Sequence, residues 1–160
     1  MALSQATLKT KFLDMGLFGD EPAACAAWAS AFRQYFASAA AGVVPVVAAA
    51  LSTPQAAMAS AMTGLSTTGP AAIQAGIVAF WGAMNPAATY FPASTAITPP
   101  PGIAALAVQL TAVFLANVVG SKSAADSYDA IATAIHAACS VGGQAVFPPP
   151  PGGIGPQPIA

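Results

Sequence analysis

The sequence predicts an all-α fold of about six short helices, arranged as three helical hairpins in one bundle and followed by an extended Pro/Gly-rich C-terminal arm. Three observations point there. Alanine, the strongest intrinsic helix former, fills 42 of the 160 positions. Proline and glycine fall in clusters that cut the chain into helix-length pieces. Within those pieces the large apolar residues recur at three- and four-residue spacing, the signature of one helix face.

The elements follow in order. Residues 3–15 read as a first helix, with Ser4 as N-cap and Leu8, Phe12 and Met15 on one face. Gly16 and Gly19 stop it. Asp20-Glu21-Pro22 then offers an acidic cap with proline in the first turn, opening a helix that runs to about Ala41. Its stripe is Cys25, Trp28, Phe32, Tyr35 and Phe36. Ser52-Thr53-Pro54 opens a third helix, reaching Gly64 or Leu65, with Met58, Ala61, Met62 and Leu65 inward. The loop 66–70 caps a fourth helix over 71–84, carrying Ile73, Ile77, Phe80, Trp81 and Met84, and Asn85-Pro86 breaks it. After an irregular stretch, a fifth helix spans Gly102 to about Asn117 with Leu106, Leu110, Val113 and Phe114. A sixth covers 124–139 with Tyr128, Ile131, Ala132, Ile135 and Cys139.

These pieces group as a helical domain over residues 1–147 and an arm over 148–160. Within the domain, residues 3–46, 50–92 and 98–148 read as three pseudo-repeats. Ala27, Ala75 and Ala130 overlay, as do Phe32, Phe80 and Ile135, and each unit leaves through an apolar residue before proline: Val44-Pro45, Phe91-Pro92 and Phe147-Pro148. A period near 50 residues suits stacked helical hairpins. In a chain one-quarter alanine such coincidences arise readily, and a single six-helix bundle needs no repeat.

Charge sets the unusual part of the problem. Only 6% of residues are charged, against about 25% in an ordinary domain. Lys9, Lys11, Arg33 and Lys122 are the whole basic complement, too few and too scattered to hold phosphates, so nucleic acid is excluded as a partner. Residues 34–121 hold no charge at all, 88 in succession. A free monomer normally covers its outer helix faces with Lys and Glu. Here partners, lipid or small polar side chains must do that work. Mean hydropathy is +0.68, so lipid comes first. The one window approaching a membrane span runs from Ile103 to Val119. It is 17 residues long, short of the roughly 20 a span needs, and includes Gln109 and Asn117. Partners are therefore the stronger expectation, and a membrane span the alternative. The first 16 residues do not read as a secretory signal, since the lysines lie inside the segment rather than before an apolar run. Two cysteines make no disulfide framework, and Cys25 and Cys139 read as free core thiols.

No catalytic, metal or cofactor site emerges, and no small-molecule ligand is expected. His136 lies three residues before Cys139, one turn along a helix. A nucleophile pair would need an activated thiolate and an oxyanion hole, and neither is signalled. The plainer reading is a histidine near the last helix carbonyls beside a core cysteine. Trp28, Tyr35 and Trp81 sit at helical spacing, which suits a core better than a ligand stack. Phosphate-binding and nucleophile-elbow motifs are missing.

The segments CAAWASAFRQYF, PPPGIAAL and FPPPPGG, with the short apolar tail behind the last, give the chain a texture that resembles small Ala-rich virion proteins of tailed bacteriophages. The resemblance implies a non-enzymatic structural subunit in the neck, tail, baseplate or capsid surface. It further implies a place in the virion after synthesis in the host cytoplasm, and copies of itself or other structural subunits as partners. The alternative is a membrane-inserted, holin-like helical protein spanning Ile103 to Val119. The arm is the expected contact. Pro148, Pro149, Pro150 and Pro151 favour a stiff polyproline spacer, with Phe147, Ile154 and Ile159 as apolar anchors on a neighbouring subunit.

Overall fold

The computed structural model describes residues 3–15, 18–147 and 155–160. It is mostly helical, 64% of the described residues, but carries two small antiparallel sheets, so the all-α expectation is corrected. The order among the described residues is α1 (Gln5–Asp14), α2 (Glu21–Phe36), β1 (Ala40–Ala41), β2 (Val44–Pro45), α3 (Ser52–Ala61), α4 (Leu65–Gly82), β3 (Ala96–Thr98), α5 (Leu106–Val119), α6 (Ala124–Cys139), β4 (Gln144–Val146) and β5 (Pro156–Pro158). Short 3-10 turns precede α3 and α5 and follow α4.

Helix starts obey local capping chemistry. The Ser4 hydroxyl accepts from the Thr7 amide, and Asp20 Oδ1 accepts from the Ala23 amide at 2.7 Å. Ser123 Oγ accepts from Asp126 N at 3.2 Å. Each satisfies an amide that the helix itself leaves unpaired. The cap of α4 is supplied from elsewhere. The Glu21 carboxylate, at the start of α2, accepts from the amides of Gly64 at 2.8 Å and Ser66 at 3.0 Å, and from the Ser66 hydroxyl. α4 accordingly begins at Leu65, with residues 65–70 joined to it across a kink at Thr68. The loop expected there is a bent first turn.

Every helix packs on its neighbour in sequence, and α1 packs on α6, so the six form a closed ring. The predicted stripes face inward. Leu8, Phe12, Phe32, Tyr35, Phe36, Met58, Met62, Ile73, Ile77, Phe80, Leu106, Leu110, Ile131 and Ile135 are all buried in one core. An aromatic cluster joins α2 to α4 behind α3: the Phe80 ring on α4 lies 4.9 Å from Phe32 and 5.3 Å from Phe36 on α2, both edge-on. α3 and α4 approach closely because Gly76 has no side chain; a Cβ there would collide with the Met62 side chain.

The strands gather where α2, α4 and α6 end. β1 pairs with β2 through a turn at Gly42, whose φ of 59° suits glycine. β3, β4 and β5 pair antiparallel in that order. A bridge between Ala41 and Ile159 links the two sheets, with Ala40 and Ala160 exchanging both backbone hydrogen bonds at 3.0 and 3.1 Å. The ladder therefore runs β2-β1-β5-β4-β3, with the last residues of the sequence at its centre. Proline is unusual in a central strand because it donates no ladder bond. The alternation of a strand resolves this. Ile159 N–H points to Gly143 O on the β4 side, so the nitrogens of Pro156 and Pro158 point toward β1, where the pairing is only a bridge.

This placement corrects the expected arm. Ile159 and Phe147 are buried in the core of their own chain, so neither serves as an anchor on a neighbouring subunit. The open edges of β1 and β4 accept residues 156–160 as a strand, and the apolar Ile159 side chain follows into the core. The other residues assigned to the arm contact, Pro148, Pro149, Pro150, Pro151 and Ile154, lie outside the described residues.

Candidate interaction surface

The ring divides by charge. All nine charged residues lie on α1, α2 and α6 or in the turns that lead into α2 and α6. These three helices are neighbours, because α1 packs on both α2 and α6. Lys9 on α1 pairs with Asp129 on α6 at 3.1 Å, and Gln5 bonds Thr133 across the same joint at 2.7 Å. The other three helices, α3, α4 and α5, carry no charge.

Of these, α5 exposes the most. It was expected to turn one stripe inward, and Leu106 and Leu110 are indeed buried, with Val113 and Phe114 half-buried beside them. Its opposite face is also apolar and lies in the open: Val108 is 76% exposed, Leu115 63% and Val118 77%. The 19-residue segment Pro101–Val119 is long and apolar enough to cross a membrane, and only 17% of it is buried. Helices that are apolar all round are ordinarily enclosed, by protein or by lipid.

Neighbouring α4 continues the surface. Its outer residues Ala71, Ala75, Val78 and Gly82 are exposed and uncharged. The α4–α5 joint is fixed by Gln74, whose side-chain amide donates to the carbonyls of Ile103 at 2.7 Å and Ala104 at 2.9 Å. Those carbonyls belong to the 3-10 turn Pro101–Ala105, which is pressed against α6: a Cβ at Gly102 would lie 2.9 Å from the Ala138 carbonyl oxygen. On the other flank, between α5 and α6, a cleft of about 350 Å³ is lined by Phe114, Asn117, Val118, Ser127, Tyr128 and Ile131. The Asn117 side-chain oxygen is buried there without a hydrogen-bond partner among the described residues.

The chemistry considered around His136 takes a different form. Its Nδ1 lies 2.9 Å from the Tyr35 hydroxyl on α2, not at the end of its own helix. Burial pushes the Tyr35 hydroxyl far above its ordinary pKa, and burial likewise pushes the Cys139 thiol up to about 12. Cys25 is also raised by burial, and its thiol donates to the Met62 carbonyl at 3.1 Å. Both thiols stay protonated near neutrality, the form of a packing residue rather than of a nucleophile. Trp28, Tyr35 and Trp81 pack with the core. Among the described residues no three of His, Cys, Asp and Glu converge as a metal site.

The exposed stripe of α5 was legible but unread. Ala104, Val108, Thr111, Leu115 and Val118 are spaced four, three, four and three apart, a second apolar period interleaved with the inward one. Comparison of the chain with known protein families, curated proteins and solved structures finds no match.

Proposed function

We propose that this chain is a non-enzymatic structural subunit of a large multi-copy assembly, a tailed-phage virion component of the neck, tail, baseplate or capsid surface. It is made in the host cytoplasm and held by copies of itself or by other structural subunits. The observation that carries the reading is the uncharged outer face of α4 and α5, with Val78, Val108, Leu115 and Val118 all more than half exposed. Contiguous apolar surface of this kind marks interaction sites. The protonated, buried state of both thiols supports the non-enzymatic part, and the resemblance of the sequence's texture supports the virion. We also read the bundle as three hairpins, α1–α2, α3–α4 and α5–α6, each followed by strand; Phe32, Phe80 and Ile135, overlaid in the repeat, are buried alike.

Light scattering of the purified chain tests the assembly, and mass spectrometry of particles from the host that carries the gene tests the virion. A defined multimer and a fixed copy number per particle are expected. A monodisperse monomer at high concentration, with the chain missing from particles, overturns the reading.

A second reading has its own support in the exposure and length of Pro101–Val119. In a holin-like protein that segment would leave the bundle and span lipid, uncovering the sites now filled by Leu106 and Leu110. Extraction from host membranes only by detergent is the result that favours it; release by high salt alone counts against it.

A further inference from the structure

We propose that α5, with the end of the turn before it, is a self-pairing element: the exposed stripe Ala104, Val108, Thr111, Leu115 and Val118 packs on the same face of a second copy, antiparallel, about a two-fold axis beside Thr111. The proposal rests on the structural-subunit reading and gives it a contact surface.

The spacing comes first. All five residues are exposed, and their four-three-four-three succession is a 3.5-residue period, the seam by which one helix packs along another. Such a seam on the outside of a folded domain has no occupant within its own chain.

The taper of side-chain size gives the direction. The early end of the seam carries Ala104 and Ala105; the late end carries Leu115, Val118 and Val119. Parallel pairing would set Val118 and Val119 against themselves and leave a gap at the alanines. Antiparallel pairing sets Val118 over Ala105 and Val108 against Leu115, with Thr111 against Ala112 at the axis. Each layer then joins large to small or medium to large, which keeps the interhelix distance even and leaves no void.

Charge and area identify the occupant. Paired helices commonly select a different partner through charges beside the seam. The positions in and beside the seam, Ala105, Ala107, Ala112 and Val119 among them, carry no charge, so nothing on the face discriminates against an identical chain. The seam from Ala104 to Val118 is about 22 Å long at 1.5 Å per residue. With the adjoining α4 stripe, at the usual helix spacing of about 10 Å, the face measures about 22 by 20 Å. Two such faces bury about 900 Å², close to the roughly 1,000 Å² that a specific contact requires. Lipid is the poorer occupant of this face, because Ala104, Ala105, Thr111 and Ala112 add little transfer energy, while small side chains do allow close helix approach.

Cysteine placement and charge insertion test the proposal on the full-length chain. Under mild oxidation Thr111→Cys is expected to form a covalent dimer, since its partner position lies at the axis. Val118→Cys alone is not, because the two copies of residue 118 lie 13 residues apart along the pair, about 20 Å and beyond disulfide reach. A mixture of Val118→Cys and Ala105→Cys chains is expected to cross-link. Leu115→Glu is expected to halve the mass of the smallest assembly unit by light scattering with helical circular dichroism unchanged; Val108→Lys should do the same. Efficient cross-linking of Val118→Cys with itself, or unchanged assembly of both charge variants, overturns the α5 pairing and leaves the subunit reading standing. A wild-type monomer overturns both. Flotation of the wild-type chain with phosphatidylcholine vesicles, lost in Leu115→Glu, assigns the face to lipid and overturns the proposal.

Discussion

The half of the ring made by α6, α1 and α2 and the half made by α3, α4 and α5 share one interior and differ at the surface. Inside, both supply the same material: Phe12, Phe32 and Ile135 from the first, Met58, Ile77 and Leu110 from the second, all fully or almost fully buried. Outside, the first half carries every charge of the chain and the second none. A core of this kind folds without charges, because burial of apolar area drives it. Charges are needed only where a helix face meets water and nothing else. Their restriction to three adjacent helices therefore divides the molecule into a charged face suited to solvent and an uncharged face, which under the proposed function is the face of contact.

The comparison claims that the two halves are one folding unit, and the largest test strikes the joint between them. Phe80 of the uncharged half is fully buried against Phe32 and Phe36 of the charged half. Phe80→Ala is expected to cost about 3–5 kcal/mol, read as a lower urea midpoint in a single transition followed by circular dichroism. A loss under about 1 kcal/mol, or two separate transitions, would mean that the halves fold independently. Ile159→Ala follows, at about 2–5 kcal/mol for a buried Ile cut to Ala. Under the arm expectation this change leaves the helices untouched and weakens only assembly; under the observed fold it lowers the stability of the domain itself.

Sequence patterning made the helices legible and the sheet illegible. Each of the six expected helices has its counterpart, α6 to the residue, because capping and amphipathic spacing are local. The ends differ where contacts are not local, as at α2, which stops at Phe36 because Ala40–Ala41 pair as a strand, and at α4, which starts early at Leu65 against Glu21. The strands are two or three residues long, too short to show alternation, and their pairing joins Ala40 to Ala160 and Ala96 to Val146. No local signal carries such contacts. Pro156-Gln157-Pro158 reads as the antithesis of a central strand until the direction of its missing donors is known. The interaction face was half legible. The charge-free run marked an uncharged surface, but α5 shows apolar residues on every side, and only packing reveals which side the bundle takes.

Gly102→Ala tests how firmly α5 is set in place. The added Cβ would meet the Ala138 backbone at 2.9 Å, where no flexible side chain can yield. A cost of about 1–3 kcal/mol is expected for such overpacking, together with weaker assembly, because the turn Pro101–Ala105 positions the seam. Unchanged stability would show that the turn shifts freely and that α5 is not rigidly presented.

Two charges reach across to the uncharged half: Arg33 donates to Gln55 Oε1 on α3 at 3.0 Å, and Glu21 accepts from the start of α4. For Glu21 the contact shifts the carboxyl's titration. Hydrogen bonds from Ser66 and Gly64 at the start of α4 hold its carboxyl below the ordinary value of 4.5. A carboxyl depressed in the folded state stabilises above its unfolded pKa, and that contribution disappears as pH falls through the folded value. Wild-type stability should therefore decline below about pH 4.5, and Glu21→Gln should reduce this decline. Equal acid profiles for the two chains would assign acid sensitivity to other carboxylates.

The smallest effect is expected at the most visible electrostatic feature, the Lys9–Asp129 pair. Both side chains are partly open to solvent, 38% and 44% exposed, so water screens their attraction and ordering the two side chains costs entropy. Exposed pairs of this kind contribute about 0.2–1 kcal/mol, and less as salt shortens the Debye length. Lys9→Met, Asp129→Asn and the double variant complete a cycle whose coupling energy, from thermal unfolding, should fall in that range at low salt and fade toward zero at high salt. A larger, salt-independent coupling would make the charged half a structure bound by its charges. The small value instead assigns those charges to hydration, which leaves the opposite half's lack of them a property of what touches it and not of what holds it together.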